Sequence, residues 1–445
     1  MAKKIELLAP AGSLEKLKYA IHYGADAVYA GIPDFSMRYR VNKFSEKTLA
    51  EGIEYAHKFG KKFYVTVNIY PRNKHFAGIE KHLKFLRKIS AFGGKPDGII
   101  ISDPGVIVLA KKYLPKIPIH LSTQANAANW QAVKFWYELG VKRVVLAREV
   151  TLKEIKEIRE KVPKIELEYF VHGAMCMSYS GRCILSKWMT GRSANLGDCA
   201  QPCRWRYRAI NNQQLTTNNQ QPKTLLMSVE DEKGEFEIDL EEDANGTYFF
   251  NSKDLNLLNY LDELRKAGVD SFKIEGRNKS VYYLATVAKA YRKVIDALGN
   301  EVSKLNAIKD GQKELNNLIH RGYTTGFLFD QPKHNFKNSH EKSPYQFVGE
   351  IIEIPSPQPS PGGRGGNYIK IKPHNAIYKK DKLEIIGTGK NVPVKIKAIL
   401  DENKNPVSSA HGGQDKFYYL EIDKKGIEPL SLIRKKLKKI ENKEK

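Results

Sequence analysis

The four cysteines of the chain lie close together in the sequence. Cys176, Cys183, Cys199 and Cys203 fall within one segment of 28 residues, which random placement would rarely produce. Four thiolates close in sequence suit a tetrahedral zinc ion or an iron–sulfur cluster, because both take four cysteine ligands. The intervals of six, fifteen and three residues match neither the paired CxxC of structural zinc nor the CxxCxxC of ferredoxins. Spacing alone therefore leaves a cluster, zinc, disulfides and unrelated core thiols open.

Other polar residues that could do chemistry follow predicted strands. His172 stands four residues before Cys176 and could act as a general acid or base, or be a buried structural histidine. Asn68, Gln124 and Asn126 could hydrogen-bond to the edge of a base or an acid, or order loops. Whether these side chains meet depends on the elements that carry them.

Those elements repeat one unit, which consists of a short apolar strand, a turn and an amphipathic helix. Eight segments have the pattern of buried parallel strands: residues 5–9, 25–30, 62–68, 97–102, 117–122, 143–148, 165–172 and 270–275. Helical periodicity is found at residues 14–23, 47–59, 79–90, 106–113, 130–139, 152–162, 255–267 and 281–298. This α/β alternation predicts eight βα units and favours a TIM-type (β/α)8 barrel, with a doubly wound open sheet as the alternative.

The connection after the seventh strand is far longer than a usual βα loop. It forms an insertion over residues 173–251 and carries all four cysteines. Because TIM-type barrels place their chemistry at the carboxyl ends of the strands, we expect the cysteines at that face. The polar stretch 211–221 and the acidic stretch 230–242 predict a surface hairpin or a mobile loop without chemistry.

After residue 304 the pattern changes to period-two alternation. A linking region over residues 305–344 leads to predicted strands at 347–354, 368–371, 382–386, 392–400 and 417–422. These indicate a separate small C-terminal β-barrel domain over residues 345–430, after the barrel domain of residues 1–304. Residues 355–366 are rich in proline and glycine and predict a flexible hairpin extension. Residues 431–445 are interpreted as a basic tail.

The composition is that of a packed, strongly basic protein. The 445 residues include 74 Lys+Arg against 50 Asp+Glu, a net charge of +24, and 41% are apolar, which excludes a wholly disordered chain. Such a charge attracts nucleic acid, and a lysine-rich solubilising surface is the alternative. The basic cluster 434–439 and the arginine–aromatic alternation 204–208 favour RNA, because arginine contacts phosphates and rings stack on unpaired bases. For 204–208 the alternative is a strand with an exposed basic face.

Neither export nor a membrane span is expected. The amino terminus has a basic pair but only a five-residue apolar run before Pro10, too short for a signal peptide. No run approaches the roughly 18 apolar residues of a membrane span, and four cysteines are too few for a disulfide scaffold. We therefore expect a cytoplasmic protein.

The sequence around the first two cysteines resembles the signature of the collagenase-like peptidase family U32. Residues 168–176 read EYFVHGAMC and residues 181–186 read GRCILS, and every fixed position of the family pattern is met. Further family-like segments are LLAPAG at 7–12, HLSTQ at 120–124 and FKIEGR at 272–277. The resemblance spans the barrel, and the β-domain after Tyr345 is similar to the one appended in longer members.

This resemblance implies more than the name of the family. Several bacterial members are oxygen-independent hydroxylases that carry a 4Fe-4S cluster on four cysteines and take the hydroxyl group from prephenate. By its length and β-domain the chain is most similar to the branch that forms 5-hydroxyuridine at the wobble position of tRNA. The resemblance thus implies that Cys176, Cys183, Cys199 and Cys203 are cluster ligands. From charge and architecture we expect the β-domain and the basic surface to dock the tRNA and to present its anticodon loop to the barrel mouth. An electron-transfer partner is a further expectation.

Prephenate as co-substrate would need cations, because it is a dianion. Arg148, Lys273 and Arg277 lie at the ends of the sixth and eighth predicted strands and are expected to supply bidentate or point-charge contacts. Each could instead form a salt bridge at the barrel rim, with Glu149 and Glu275 as the obvious partners. Glu275 and His172 are the two candidate catalytic residues.

Three other functions stay open. Proteolysis lacks an HExxH motif, since HEKSP at 340–344 has no second histidine, and a GxSxG motif is also absent. A cysteine nucleophile with His172 would leave three clustered cysteines unexplained. Hydroxylation of ribosomal RNA or of a quinone precursor could use the same site. A non-catalytic RNA-binding module with a structural metal would bind tRNA without modifying it.

Overall fold

The computed structural model describes most of the chain in two compact units. The described residues are 4–37, 42–91, 94–175, 183, 185–204, 207–210, 225–231, 237–242, 253–329, 343–355, 367–413 and 416–437. The first unit comprises Met1–Leu14, Ala27–Asn278 and His320–Glu341, and the second comprises Glu15–Asp26, Lys279–Ile319 and Lys342–Lys445.

The first unit contains a closed barrel of eight parallel strands. They are β1 (Glu6–Pro10), β2 (Ala27–Ala30), β3 (Lys62–Val67), β4 (Gly98–Ile101), β5 (Ile119–Leu121), β6 (Arg143–Val145), β7 (Glu166–Ala174) and β12 (Ser271–Ile274). Each strand pairs with the next in this order, and β12 pairs with both β7 and β1. The predicted TIM-type barrel is confirmed, because pairing of β12 on both sides leaves no open edge.

Ten helices are described, most of them between barrel strands. They are α1 (Leu14–His22), α2 (Glu46–Lys58), α3 (Phe76–Ala91), α4 (Pro104–Tyr113), α5 (Trp130–Glu138), α6 (Leu152–Lys161), α7 (Leu185–Thr190), α8 (Leu261–Lys266), α9 (Val281–Asp296) and α10 (Glu301–Leu315). Local sequence fixes their starts: the Asp103 side chain caps α4, and Thr151 with Glu154 forms a capping box on α6. In the described part of the chain, no helix combines the length and the apolar character that crossing a membrane requires.

The insertion after β7 contains a small antiparallel sheet, and an extra strand follows the insertion. The sheet has the order β10-β9-β8 and consists of β8 (Tyr207–Ile210), β9 (Leu225–Asp231) and β10 (Glu237–Glu242). The strand β11 (Asp254–Asn256) pairs antiparallel with β7 and parallel with β13 (Tyr323–Thr324). The predicted helix at 255–267 is therefore wrong at its start, because backbone pairing with β7 overrides the local helical pattern. Residues 205–206 and 211–224 of the predicted motifs lie outside the described residues.

The second unit joins residues of α1, α9 and α10 to a seven-stranded antiparallel sheet. In chain order its strands are β14 (Tyr345–Glu353), β15 (Asn367–Pro373), β17 (Leu383–Ile386), β18 (Val392–Val394), β19 (Ile396–Leu400), β21 (Tyr418–Ile422) and β22 (Leu432–Lys436). The sheet order is β18-β17-β22-β14-β15-β21-β19, and β16 (Ile377–Tyr378) pairs separately with β20 (Ser409–Ala410). Its core consists of buried aliphatic side chains such as Val348, Ile371, Leu420 and Ile433. A small β-barrel-like domain at the carboxyl end is confirmed.

Residues 432–436 differ from the basic tail expected there. They form β22, which lies between β17 and β14. Arg434 is 1% exposed, and its guanidinium forms ion pairs with Glu314 at 2.8 Å and Glu384 at 2.6 Å. The two carboxylates compensate the buried charge of Arg434. This burial was not expected, because the residues that follow Arg434 in the sequence are mostly lysines.

Candidate functional site

Most of the predicted polar residues meet at one end of the barrel. Because all eight strands are parallel, their carboxyl ends share one face, called here the mouth. The predicted residues in or just after the strands at this face are Asn68, Gln124, Asn126, Arg148, His172, Glu275 and Arg277. Most of them follow the last residue of a strand, so that they lie in the βα connections of this face.

His172 and Glu275 are brought together by their backbones. The Glu275 N–H donates to the His172 carbonyl oxygen at 2.8 Å, and both side chains are buried. Tyr29 donates its hydroxyl to the Ile274 carbonyl at 2.9 Å and lies 3.5 Å from Glu275 Oε2. Burial, reinforced by the Glu275 carboxylate, raises the pKa of Tyr29 well above its ordinary value. The phenol therefore remains a hydrogen-bond donor beside this carboxylate.

Two arginines form part of the wall of the mouth. Arg277 is buried and donates through Nη1 to Ser36 Oγ at 2.5 Å and to Thr66 Oγ1 at 3.4 Å. Arg148 is half-buried, and its guanidinium carbon lies 4.0 Å from the centre of the Phe170 ring, a cation–π contact. These anchored guanidinium groups can hold carboxylates.

Gln124 and Asn126 each have one buried polar atom for which the described part of the chain supplies no hydrogen-bond partner. Gln124 is 4% exposed and accepts from Ser122 Oγ at 3.4 Å through Oε1. Its Nε2, and Oδ1 of Asn126, find no hydrogen-bond partner among the described residues. Asn68, by contrast, accepts from the Met37 N–H at 3.2 Å and donates to Ser122 at 3.4 Å. A buried donor and a buried acceptor two residues apart are suited to a ligand that satisfies both.

Lys273 lies inside the barrel and forms an ion pair there. Its ammonium is 2.6 Å from Glu168 Oε1 and 4.4 Å from the centre of the Tyr29 ring. Burial lowers the pKa of Lys273, and the Glu168 carboxylate opposes this shift. The partner is therefore neither Glu149 nor Glu275, the two carboxylates that the sequence suggested.

A buried ionic network at the other end of the strands was missed by sequence reasoning. Arg143 forms ion pairs with Glu6 at 2.5 Å, Glu166 at 2.9 Å and Glu168 at 3.0 Å. Through Glu168 the network reaches Lys273. Charged residues within otherwise apolar strands were the available signal, since a charge in a buried parallel strand needs a partner.

The described cysteines lie in the segment that follows β7. Cys183, Cys199 and Cys203 are half-buried thiols, and Cys176 lies outside the described residues. Cys199 Sγ accepts the N–H of Gln201 at 3.3 Å. No three His, Cys, Asp or Glu side chains in the described ranges are grouped so that they could hold a metal ion. Three of the four predicted ligands are thus placed among the described residues, and their sharing of one metal site stays a prediction.

Hydrogen bonds of Ser186 connect the beginning of the cysteine segment to residues near its end. Its Oγ donates to the Arg192 carbonyl at 2.8 Å and accepts the Ala200 N–H at 2.9 Å. Arg192 in turn pairs with Asp198 at 3.1 Å. These bonds bring the chain after Cys183 close to the chain around Cys199.

Comparison with known proteins covers nearly the whole chain. The model of peptidase family U32 matches residues 12–338, and the model of the peptidase family U32 C-terminal domain matches residues 343–434. A relative from Haemophilus influenzae, tRNA hydroxylation protein P, is 40% identical over 94% of this chain and 93% of its own length. The 23S rRNA 5-hydroxycytidine C2501 synthase of Escherichia coli is 32% identical over 74% of this chain and 47% of its own. A collagenase of Porphyromonas gingivalis is 33% identical over 73% of this chain and 74% of its own.

These matches confirm the resemblance seen around the cysteines and extend it over both units. The first family model includes the seven barrel strands that follow β1 and the whole cysteine segment, and the second includes the C-terminal sheet up to Arg434. The chain belongs to peptidase family U32.

Proposed function

We propose that this chain is an RNA-modifying hydroxylase that acts on tRNA. The observation that carries the proposal is 40% identity to a tRNA hydroxylation protein over 94% of the chain. A less similar relative is named for the synthesis of 5-hydroxycytidine in ribosomal RNA, so hydroxylation of RNA is common to both names. The substrate of the more similar, fully overlapping relative is the better guide to the substrate of this chain.

The specific reaction that we propose is formation of 5-hydroxyuridine at the wobble position, with prephenate as hydroxyl donor. An anticodon loop presents unpaired bases, which a protein can contact at their edges. Gln124 Nε2 is a donor and Asn126 Oδ1 is an acceptor, which complements O4 and N3–H of uracil. Arg148 and Arg277 supply cations for the two carboxylates of prephenate. The mouth thus offers groups for both substrates.

We further propose that Cys176, Cys183, Cys199 and Cys203 hold a 4Fe-4S cluster. The donor set fits, because four thiolates are the usual ligands of such a cluster. The Gln201 N–H on Cys199 Sγ is the kind of hydrogen bond that tunes cluster sulfurs. In the proposed reaction, the C–O bond of prephenate breaks and releases hydroxide, while its ring loses carbon dioxide and becomes aromatic. Addition of this hydroxide at C5, with loss of the C5 proton, removes two electrons from the base. When bound, the cluster would pass these two electrons to an electron-accepting partner.

Nucleoside analysis tests the reaction. Total tRNA from a strain that lacks the gene is digested and analysed by mass spectrometry, before and after return of the wild-type gene. We expect 5-hydroxyuridine to be missing in the deletion strain and restored by the gene. Unchanged tRNA with altered ribosomal RNA would instead assign the chain to ribosomal RNA, and no change in either RNA would overturn the hydroxylase.

Anaerobic purification tests the cluster independently of activity. Iron, sulfide and zinc are quantified together with the absorption spectrum, and about four irons and four sulfides per chain are expected. Cys203→Ala should lower the iron content, whereas Ser193→Ala in the same segment should not. One zinc without iron would overturn the cluster, and a Cys203→Ala variant that keeps its cluster would remove this residue from the ligands.

Proteolysis is a second candidate, because one relative is named a collagenase. The sequence contains neither an HExxH nor a GxSxG motif. Incubation of the purified chain with denatured collagen separates the two functions. Cleavage that disappears in His172→Ala and persists without iron would favour the peptidase over the hydroxylase.

A further inference from the structure

A basic turn lies on the surface of the second unit. It consists of residues 378–382, with the sequence YKKDK, and begins where β16 ends. Hydrogen bonds close the turn: the Asp381 N–H donates to the Tyr378 carbonyl at 2.9 Å, and the Tyr378 N–H donates to Asp381 Oδ2 at 2.9 Å. Lys379, Lys380 and Lys382 are exposed. The single carboxylate of the turn is thus engaged in shaping it, while three lysines extend into solvent.

The end of β22 adds two more lysines to the basic turn. Lys435 Nζ donates to the Ala376 carbonyl at 3.0 Å and lies 3.4 Å from Asp381 Oδ2. The Lys436 N–H donates to the Lys382 carbonyl at 3.3 Å, and its side chain is exposed. The basic cluster seen in the sequence therefore divides, because Arg434 points into the unit and the next two lysines join the turn.

An exposed aromatic residue begins the same turn. Tyr378 is 42% exposed, although aromatic residues are usually buried for most of their surface. Lys435 Nζ lies 5.9 Å from the centre of the Tyr378 ring, and the His411 ring meets it edge-on at 6.4 Å. Lysines around an exposed ring are the combination that binds single-stranded nucleic acid, since the charges meet phosphates and the ring stacks on an unpaired base.

We propose that the basic turn binds a single-stranded segment of the RNA substrate, with its lysines on phosphates and Tyr378 stacked on an unpaired base. This inference rests on the proposed function and names the surface through which the RNA is held. Complementary charge identifies the occupant as a polyanion, and the exposed ring favours an unpaired strand over a duplex.

Binding of a fluorescent anticodon stem-loop RNA to the full chain tests the proposal by anisotropy. Lys379→Glu together with Lys380→Glu should weaken binding about tenfold or more and lower the slope of log Kd against log salt, because phosphate contacts are lost. The matched control is Lys424→Glu with Lys425→Glu, which makes the same charge change in the exposed loop before β22. We expect the control to weaken binding less than about threefold.

Tyr378→Ala separates stacking from charge. It should weaken binding of the stem-loop by about tenfold and leave binding of a fully paired RNA duplex of equal length unchanged. Thermal melts of every variant establish that the second unit remains folded. An equal loss of affinity in the two double-lysine variants would overturn the proposal, because it would show that RNA responds only to the net charge of the chain. Wild-type affinity in both the lysine variant and the Tyr378→Ala variant would overturn it as well.

The outcomes also separate this surface from the proposed function. A chain that restores 5-hydroxyuridine while its Lys379→Glu, Lys380→Glu variant binds RNA like wild type refutes the surface alone. A chain that binds the stem-loop through the basic turn without restoring the nucleoside refutes the hydroxylase alone.

Discussion

Glu6 shows how a single buried charge is kept ionised inside the barrel. Burial by itself raises the pKa of Glu6. Arg143, together with Tyr64 and Lys62, has the larger opposite effect, so that the pKa is lowered to about 2. A carboxylate whose pKa falls on folding stabilises the protein above its unfolded pKa, and this contribution is lost as the pH falls through the folded pKa. The Glu6–Arg143 pair therefore stabilises the fold at neutral pH and fails in acid.

We predict that Glu6→Gln removes this acid-dependent stability. In the wild type, the free energy of unfolding should decline from about pH 4.5 to about pH 2 by roughly 3 kcal/mol through this group, the equivalent of its pKa shift. Urea unfolding across this range should be flatter for Glu6→Gln than for wild type. The exposed Glu51→Gln should follow the wild-type curve, and an identical decline in Glu6→Gln would contradict the prediction.

Gln124 is a residue whose stability and activity roles can be separated. Its Nε2 is buried without a partner among the described residues, so replacing the amide by an apolar group of similar size should be nearly neutral for folding. We predict that Gln124→Leu changes the free energy of unfolding by less than about 1 kcal/mol and strongly lowers RNA modification. Chemical unfolding measures the change in stability, and nucleoside analysis measures the change in RNA modification. A stable variant with wild-type modification would remove Gln124 from the site.

At the scale of elements, the end of β7 is packed directly against the end of β12. Gly173 has a φ of +116°, and a Cβ built there would lie 2.6 Å from the Glu275 carbonyl oxygen. Both the backbone angle and the contact require glycine at this position. The close approach of the two strand ends places the Glu275 backbone beside His172.

We predict that Gly173→Ala destabilises the chain by about 2–4 kcal/mol and displaces Glu275, because the added carbon meets backbone rather than a flexible side chain. Gly60→Ala is the control, since Gly60 has a φ of +65° and nothing within 4 Å of its Cβ position. It should cost about 1 kcal/mol. Urea unfolding measures both variants, and equal costs would show that the contact with Glu275 is unimportant.

The strand β22 holds the C-terminal sheet to α10 within the second unit. Arg434 pairs with Glu314 of α10 and Glu384 of β17. We predict that Arg434→Gln lowers the free energy of unfolding by roughly 2 kcal/mol, because two partly buried carboxylates lose their cation. Lys436→Gln, at the exposed end of the same strand, should change it by less than about 0.5 kcal/mol. Comparable melting temperatures for the two variants would contradict the role of Arg434.

For the whole molecule, the net charge of +24 dominates encounter with RNA. We predict that the affinity of the full chain for tRNA falls steeply with salt, because each phosphate contact releases counterions. Fluorescence anisotropy from about 50 to 200 mM salt measures the slope. A slope near zero would show that contacts to bases, rather than charge, provide most of the affinity.

Deleting the β-domain from Tyr345 would not isolate its contribution to RNA binding. Residues of α9 and α10 belong to the same compact unit as the sheet, and most of α9 is buried. Removing the sheet would uncover that apolar helix and confound binding with aggregation. Point variants in the intact chain are therefore the sharper measurement.

Much of this protein is determined by sequence alone. Alternating apolar strands and amphipathic helices predict the eight βα units, since burial fixes the period of each element. The grouping of the cysteines and the motif that begins within β7 indicate the family. The helix predicted at residues 255–267 fails where pairing with a distant strand outweighs local propensity, as β11 shows against β7.

Only the tertiary structure determines that the barrel closes and which charged side chains form ion pairs. Closure of the barrel requires β12 to meet both β1 and β7, and no local pattern encodes that meeting. Lys273 pairs with Glu168, 105 residues earlier, and Arg434 turns inward while Lys436 stays in solvent. The sequence does not identify the ion-pair partner of a buried charged side chain, because that partner depends on which strands become neighbours in space.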